Sequence, residues 1–521
     1  MKQFIPPEFV KRYLPGTMLA GIIVVAVFMR FYRIVDLPPA LHPNEAAYGN
    51  AALELLLNKK ISFGSSVGGF STIFVALEAL ALTFMKTSVW ALRVVPAILS
   101  VLTVLFTYLV ARSWYGRRVG LIAAGVLAVN PWAITVGRDA LAAGAAPFFV
   151  VLSLWLATKA YRSRSWAWSG LLALSLALAT YNYIGTALLI PALGLVLVIT
   201  LIFARRRLPS IAKLGVAVAI LVLLLAPSIY LAVKNSNTVA NNITSSTILS
   251  RSNNVDKLKL VGSNALDTFL MFNLKGDENY RHSLGGLPLL NTFIGIMFLL
   301  GLLFVFTRPK RLTNLTAIIS FVALLLPAIL TSGDVPNALR SAGALPLIMI
   351  LVGVGVNYLL RRWYATFPVN NIARSVGLVL VLTLLTLTAF QGYKQYFVAW
   401  AQDPKTYTSY DEPLTEMAKF LNAESGARGL SAENTYVVVS EYENQTIQFL
   451  THKRTEYSLV GDDALRALPL NKKPKLFILG SDASTKEKLD IITVKYPGGR
   501  IVNHYSPFNQ QQIFYSYELN K

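Results

Sequence analysis

Side chains able to do chemistry are few in this chain, and they fall in short clusters far apart: His42, Asn44 and Glu45; Arg93; Arg138 and Asp139; Arg281 and His282; Asp334 and Arg340. Glu45 and Asp139 are carboxylates suited to taking a proton from a hydroxyl. The arginines suit an anion, a phosphate above all, because a guanidinium pairs bidentately and keeps its charge. Asn44 can only position groups by hydrogen bonding, since an amide takes up no proton near neutral pH. No cluster has metal-ligand spacing, and the chain holds four histidines. No metal or other cofactor is therefore expected, although a divalent cation held jointly by Glu45 and Asp139 stays open. There is no cysteine, which excludes disulfides, thiolate catalysis and Cys-ligated metals.

The elements that must position these residues are apolar. Of 521 residues 54% are hydrophobic and 14% charged, against about 25% charged in a soluble domain. Runs near the 20 or so residues needed to cross a bilayer recur along the chain. They predict an α-helical polytopic membrane protein with spans at 17–35, 89–111, 119–136, 140–158, 167–183, 184–204, 212–233, 287–307, 312–332, 341–360 and 375–397. The first is too long for a removable signal and lacks a small-residue cleavage site. Segment 67–86 is apolar but opens on Gly68-Gly69 and carries Glu78; it reads as a helix lying at the membrane surface.

Basic residues orient the spans. Alternate loops carry Arg112, Arg117 and Arg118; Lys159, Arg162 and Arg164; Arg205, Arg206, Arg207 and Lys213; Arg308, Lys310 and Arg311; and Arg361, Arg362 and Arg374, with no acid among them. These loops are expected in the cytoplasm, with the N-terminus beside them because of Lys11 and Arg12. They supply most of the net charge of +22, so no nucleic acid is needed to explain it. A transmembrane domain over 1–397 then has long outer loops at 36–88 and 234–286. The tail 398–521 mixes charges with apolar runs at 436–439 and 476–479 and helix-like stretches at 413–422 and 485–492. It reads as a small extracytoplasmic α/β domain.

On this reading the span interiors are almost free of ionisable groups, with Arg93 the deepest, about one turn inside its helix. An ion-coupled transporter would place acids or histidines near the midplane. Here the polar clusters gather at the outer rim instead, with lipid on one side and water on the other. That placement suits an enzyme joining a lipid-anchored substrate to an outside acceptor.

The clusters also carry a resemblance. Residues 37–48 (LPPALHPNEAAY) are similar to the first outer loop of the GT-C glycosyltransferases that include protein O-mannosyltransferases and lipid A aminoarabinose transferases, where an Asp-Glu pair follows a Pro-containing run. Further similar stretches follow in the family's order: Trp90–Pro96, Asn130-Pro131-Trp132, Arg138-Asp139-Ala140, Pro147-Phe148-Phe149, Gly276–His282 and Pro336–Ser341. Together they cover about residues 20–400. The resemblance implies a sugar donor carried on a polyprenyl phosphate, an extracytoplasmic acceptor (protein, lipid or cell-wall glycan), membrane lipid as surroundings, and inversion at the anomeric carbon. It implies a carboxylate base and donor-holding roles for His42, Arg93, Arg138, Arg281, His282 and Arg340. The sequence departs from the family at Asn44, where the family has its Asp. Three readings follow: Glu45 is the base, Asp139 is the base, or the chain is a non-catalytic homologue; a lipid-linked-sugar flippase is the further alternative. Each residue also has a purely structural reading. Glu45 caps helix 46–57, Arg93 snorkels, Arg138 and Asp139 pair at the interface, Arg281-His282 ties down a loop, and Arg340 marks the end of a span.

Overall fold

The computed structural model describes residues 7–58, 71–163, 165–204, 211–234, 247–248, 254–452, 454–468, 474–481 and 483–519. Arg164, the run 205–207, and parts of the expected outer loops 36–88 and 234–286 lie outside the described residues. The chain divides into two compact units: residues 1–32, 61–74 and 94–400 form the first, and 33–60, 75–93 and 401–521 the second.

The first unit is helical. Among the described residues seven helices are long and apolar enough to cross a membrane, from Leu14–Phe31 to Asn371–Gln402. Each expected span has a helical counterpart, but several are short, so eleven crossings are not reached by that measure. Thr292–Phe306 and Gly215–Tyr230 are apolar yet shorter. The expected span 119–136 is divided into Arg117–Val129 and Pro131–Val136. Pro131 has no N–H to continue the ladder, and the Asn130 side chain accepts from Ala133 N at 3.1 Å, starting the second helix as an N-cap with Pro at N1.

Close helix packing in this unit depends on glycine. A Cβ on Gly301, in Thr292–Phe306, would lie 1.9 Å from the Leu351 carbonyl oxygen. One on Gly355, in Leu345–Thr366, would lie 1.9 Å from that of Met297. The two backbones meet through paired small residues, as membrane helices do where lipid provides no hydrophobic drive between them.

The second unit holds a five-stranded sheet in the order β2-β1-β3-β5-β4. Strand β1 (Thr435–Val438) is parallel to β2 (Ser458–Leu459) and to β3 (Leu476–Gly480). Strand β5 (Gln512–Glu518) runs antiparallel to β3 and to β4 (Arg500–Tyr505). Successive side chains point to opposite faces. Val437, Leu476 and Ile478 pack with Leu414, Met417, Leu421 and Ile447 from helices Glu412–Arg428 and Glu441–Thr451. Tyr436, Val438, Phe477 and Leu479 pack on the other face with Leu489 and Ile492 of Thr485–Lys495. With both faces covered, β1 and β3 read as unbroken apolar runs, matching the α/β domain expected at this end of the chain. Helix Pro43–Asn58 belongs to the same unit: a Cβ on Gly49 would lie 2.6 Å from the Phe449 ring, so the helix meets Glu441–Thr451 at a residue without a side chain.

Candidate functional site

The first outer-loop cluster closes around one buried arginine. Arg93 stands in the first turns of Val89–Tyr115 and is fully buried. Its Nε donates to Glu45 Oε1 at 3.3 Å and its Nη2 to Glu45 Oε2 at 3.1 Å. Nη1 donates to the Pro38 carbonyl at 2.7 Å and Nη2 to that of Ala40. Glu45 is 1% exposed, and its Oε2 also accepts from His42 N at 3.3 Å. This is the two-pronged carboxylate pair to which a guanidinium is shaped, and it binds the loop 34–45 to the start of a helix.

His42 is oriented from both ring nitrogens. Nδ1 accepts from Asn44 N at 3.1 Å, so the ring proton sits on Nε2, which faces Asp411 Oδ2 at 3.3 Å. Asn44 is exposed, and its side-chain oxygen accepts from the Tyr442 hydroxyl at 3.1 Å. Thr446 donates to Leu41 O and Leu41 N to Thr415, while Asn50 donates to Gln445. Residues of the tail therefore complete the surroundings of His42 and Asn44. Asp411 and Tyr442 are absent from the family-like motifs, and nothing local in the sequence marks them. Glu78, in Thr72–Met85, is fully buried, and among the described residues neither of its oxygens has a hydrogen-bond partner. Burial, with the nearby charge of Glu45, holds its carboxyl well above the usual range.

Arg138 and Asp139 lie in the first unit, both buried. Arg138 Nη1 donates at 3.1 Å to the carbonyls of Met29 and Arg30, in the last turn of Pro7–Phe31, and its guanidinium lies 5.3 Å from the Tyr396 and Phe397 rings. Arg30 does the same for another helix. Its Nη2 donates to Leu127 O at 2.9 Å, its Nη1 to Ala128 O, and its Nε to Ser100 Oγ at 3.1 Å. Leu127 O is the acceptor that Pro131 cannot serve. Each arginine thus caps carbonyls at a helix C-terminus, where the dipole also favours a cation. Arg30, inside the expected span 17–35 and in the last turn of Pro7–Phe31, is also fully buried, and is tolerated because its donors meet acceptors.

The last two motifs come together in the first unit. Asp277 is buried; its Oδ2 accepts from Ala338 N at 2.8 Å and faces His282 Nδ1 at 3.1 Å. Its Oδ1 accepts from Asn279 N at 2.8 Å. Asp277 thereby joins loop 276–286 to segment 336–341, the segments carrying Arg281 and Arg340. Both arginines are half-buried, and Arg340 Nη1 donates to Thr331 Oγ1. Among the described residues no three His, Asp or Glu side chains gather as a metal site would need.

The architecture is that of known membrane glycosyltransferases. The chain superposes on ArnT from Cupriavidus metallidurans, a structure bound to undecaprenyl phosphate, with TM-score 0.57 and 15% identity over 96% of this chain and 97% of that one. It superposes on the oligosaccharyltransferase AglB from Archaeoglobus fulgidus, in complex with an inhibitory peptide and a dolichol-phosphate, with TM-score 0.55 and 12% identity over 97% of this chain and 74% of that one. An apo form of the Archaeoglobus enzyme gives 0.57 at 13% identity, covering 97% and 75%. Residues 72–230 match the family model described as dolichyl-phosphate-mannose-protein mannosyltransferase. No curated protein sequence matches the chain. The protein has the GT-C fold and is a multi-pass membrane protein, in agreement with the resemblance carried by its motifs.

Proposed function

We infer that the protein is a membrane glycosyltransferase taking a sugar from a polyprenyl-phosphate donor and passing it to an extracytoplasmic acceptor. The observation that carries this is the mannosyltransferase-family match over 72–230, lying within a chain of GT-C fold. The basic loops are cytoplasmic, and the C-terminal α/β domain stands outside. In this reaction the acceptor oxygen bonds to the anomeric carbon as the bond to the phosphate oxygen breaks. The acceptor's proton passes to a carboxylate, and the phosphate leaves with the electron pair, inverting the anomeric centre.

Glu45 and Asp139 are the carboxylates available. Both oxygens of Glu45 are committed to Arg93, which favours a positioning role for Glu45 and leaves the proton to Asp139. Asn44 and His42 position groups beside Glu45. Arg281 and Arg340, half-buried on segments joined through Asp277, are the arginines we assign to the donor phosphate, with His282 held beside them. Arg93 and Arg138 serve the scaffold through the carbonyls they satisfy. A second reading, a non-catalytic homologue, is favoured by Asn44 standing where the family has its Asp. Purified protein incubated with labelled polyprenyl-phosphate sugars and a membrane extract decides between them. Release of free polyprenyl phosphate with label passing to an acceptor supports the enzyme; donor binding without release supports the homologue.

A further inference from the structure

The peptide group joining Tyr280 to Arg281 is hydrogen-bonded at both ends. Its carbonyl oxygen accepts from the Trp400 indole Nε1 at 2.9 Å, and its N–H donates to Asn279 Oδ1 at 3.0 Å. The next peptide group is held as well, with His282 N donating to the Asn279 carbonyl at 3.0 Å. A peptide group is a rigid plane. Holding the planes on either side of Arg281 sets its φ and ψ, and with them the direction in which its side chain leaves the backbone. The Tyr280 ring is placed too, since a Cβ on Gly285 would lie 2.3 Å from it. Asn279 is part of the same loop, whereas Trp400 reaches in from 120 residues further along the chain.

Trp400 is itself firmly placed. It follows a π-helical turn, Lys394–Ala399, that ends the helix Asn371–Tyr393; such turns are rare and frequent at functional sites. The indole is 3% exposed and stacks on the buried Tyr396 ring, with centroids 4.7 Å and planes 21° apart. Tyr396 and Phe397 in turn face the Arg138 guanidinium. The indole cannot follow the loop, so the loop is held to the indole. We propose that Trp400 is a positioning residue for the donor: its N–H fixes the Tyr280–Arg281 peptide so that the Arg281 guanidinium meets the donor phosphate. The proposal rests on the assignment of Arg281 to that phosphate. Guanidinium–phosphate pairing is bidentate and directional. Without the pin Arg281 keeps its charge but spends less time in the pairing geometry, which costs affinity for a phosphate and nothing for an uncharged lipid.

Binding of farnesyl phosphate to the full-length protein in nanodiscs tests this, with farnesol as the uncharged control. Trp400→Phe keeps an aromatic ring against Tyr396 and removes the N–H. It should raise the dissociation constant for farnesyl phosphate about tenfold, the size expected for one lost hydrogen bond that leaves its acceptor unserved, and leave farnesol within about twofold. Arg281→Ala should weaken farnesyl phosphate at least as much. Because Trp400 acts through Arg281, the double variant should bind no more weakly than Arg281→Ala alone, whereas independent losses would multiply. Should Trp400→Phe fail to fold, benzothienylalanine at position 400, which keeps the shape of the indole with sulfur in place of N–H, reads the same loss. Equal weakening of farnesol, an unchanged dissociation constant in the variant at 400, or multiplied losses in the double variant would overturn the positioning role. The two assignments fail differently. Unchanged binding in Trp400→Phe beside weakened binding in Arg281→Ala removes Trp400 and keeps the donor site; unchanged binding in Arg281→Ala removes both.

Discussion

Glu45→Gln separates a scaffold from a base. In the native protein Arg93 is fully buried and reaches two Glu45 oxygens and the carbonyls of Pro38 and Ala40. Glutamine keeps one acceptor oxygen and turns an NH2 toward the remaining guanidinium donor. Placed where Oε2 stands, that oxygen still serves His42 N and Nη2, while Nε faces the NH2 and the negative charge opposite the guanidinium is lost. Breaking a buried pair from one side costs about 3–5 kcal/mol. The carbonyls that remain on Arg93 put the expectation near the lower end, about 3 kcal/mol. A loss that size lowers the equilibrium constant for folding by roughly two orders of magnitude. It should appear as a clear fall in the unfolding midpoint of detergent-solubilised protein, followed by tryptophan fluorescence. Glu45→Asp, which keeps the charge and shortens the reach, should recover part of the stability. Asp139→Asn should abolish release of polyprenyl phosphate, by about 10²–10⁴ in rate if it removes the base. Wild-type stability in Glu45→Gln together with complete loss of transfer would refute the positioning role and return the base to Glu45.

Because the chain has no cysteine, single cysteines report topology cleanly. Lys310→Cys should be labelled by an impermeant maleimide only after the membrane is opened, and Lys275→Cys and Lys405→Cys in intact cells; the reverse pattern would invert the assignment. Gly355→Ala should destabilise by about 1–3 kcal/mol, the usual range for overpacking, because its Cβ would meet the Met297 carbonyl oxygen; an unchanged unfolding midpoint would show that the two helices can separate without cost. His504 stacks on Phe514 at 4.1 Å, and burial lowers its pKa. The folded state therefore prefers the neutral ring. Its contribution is fully present above the ordinary value of about 6.5 and is lost as pH falls through the lower folded value. His504→Phe should flatten that acid-side slope in urea titrations of the whole protein; an unaltered slope would assign it to other groups.

The apolar runs, the acid-free basic loops and the strand segments 436–439 and 476–479 were legible in the sequence because each depends on local composition and period. The α/β character of the tail rests on the same local chemistry, whereas the break at Asn130-Pro131 was passed over, since the apolar run 119–136 reads as one span. The order of the motifs likewise pointed to the fold. What those motifs touch was decided elsewhere. Arg30 drew no notice in the sequence; its acceptors, Leu127 and Ala128, lie about a hundred residues on, where Pro131 leaves a carbonyl unserved. Asp411 and Tyr442 are ordinary residues of the tail until folding sets them against His42 and Asn44. Gly301 and Gly355 look like any glycines in apolar helices until the two backbones meet. Hydropathy and turn chemistry act over a few neighbouring residues and so can be read along the chain. Pairing a buried charge, filling a cap or passing one helix against another depends on which distant residues share a place, and only tertiary packing sets that.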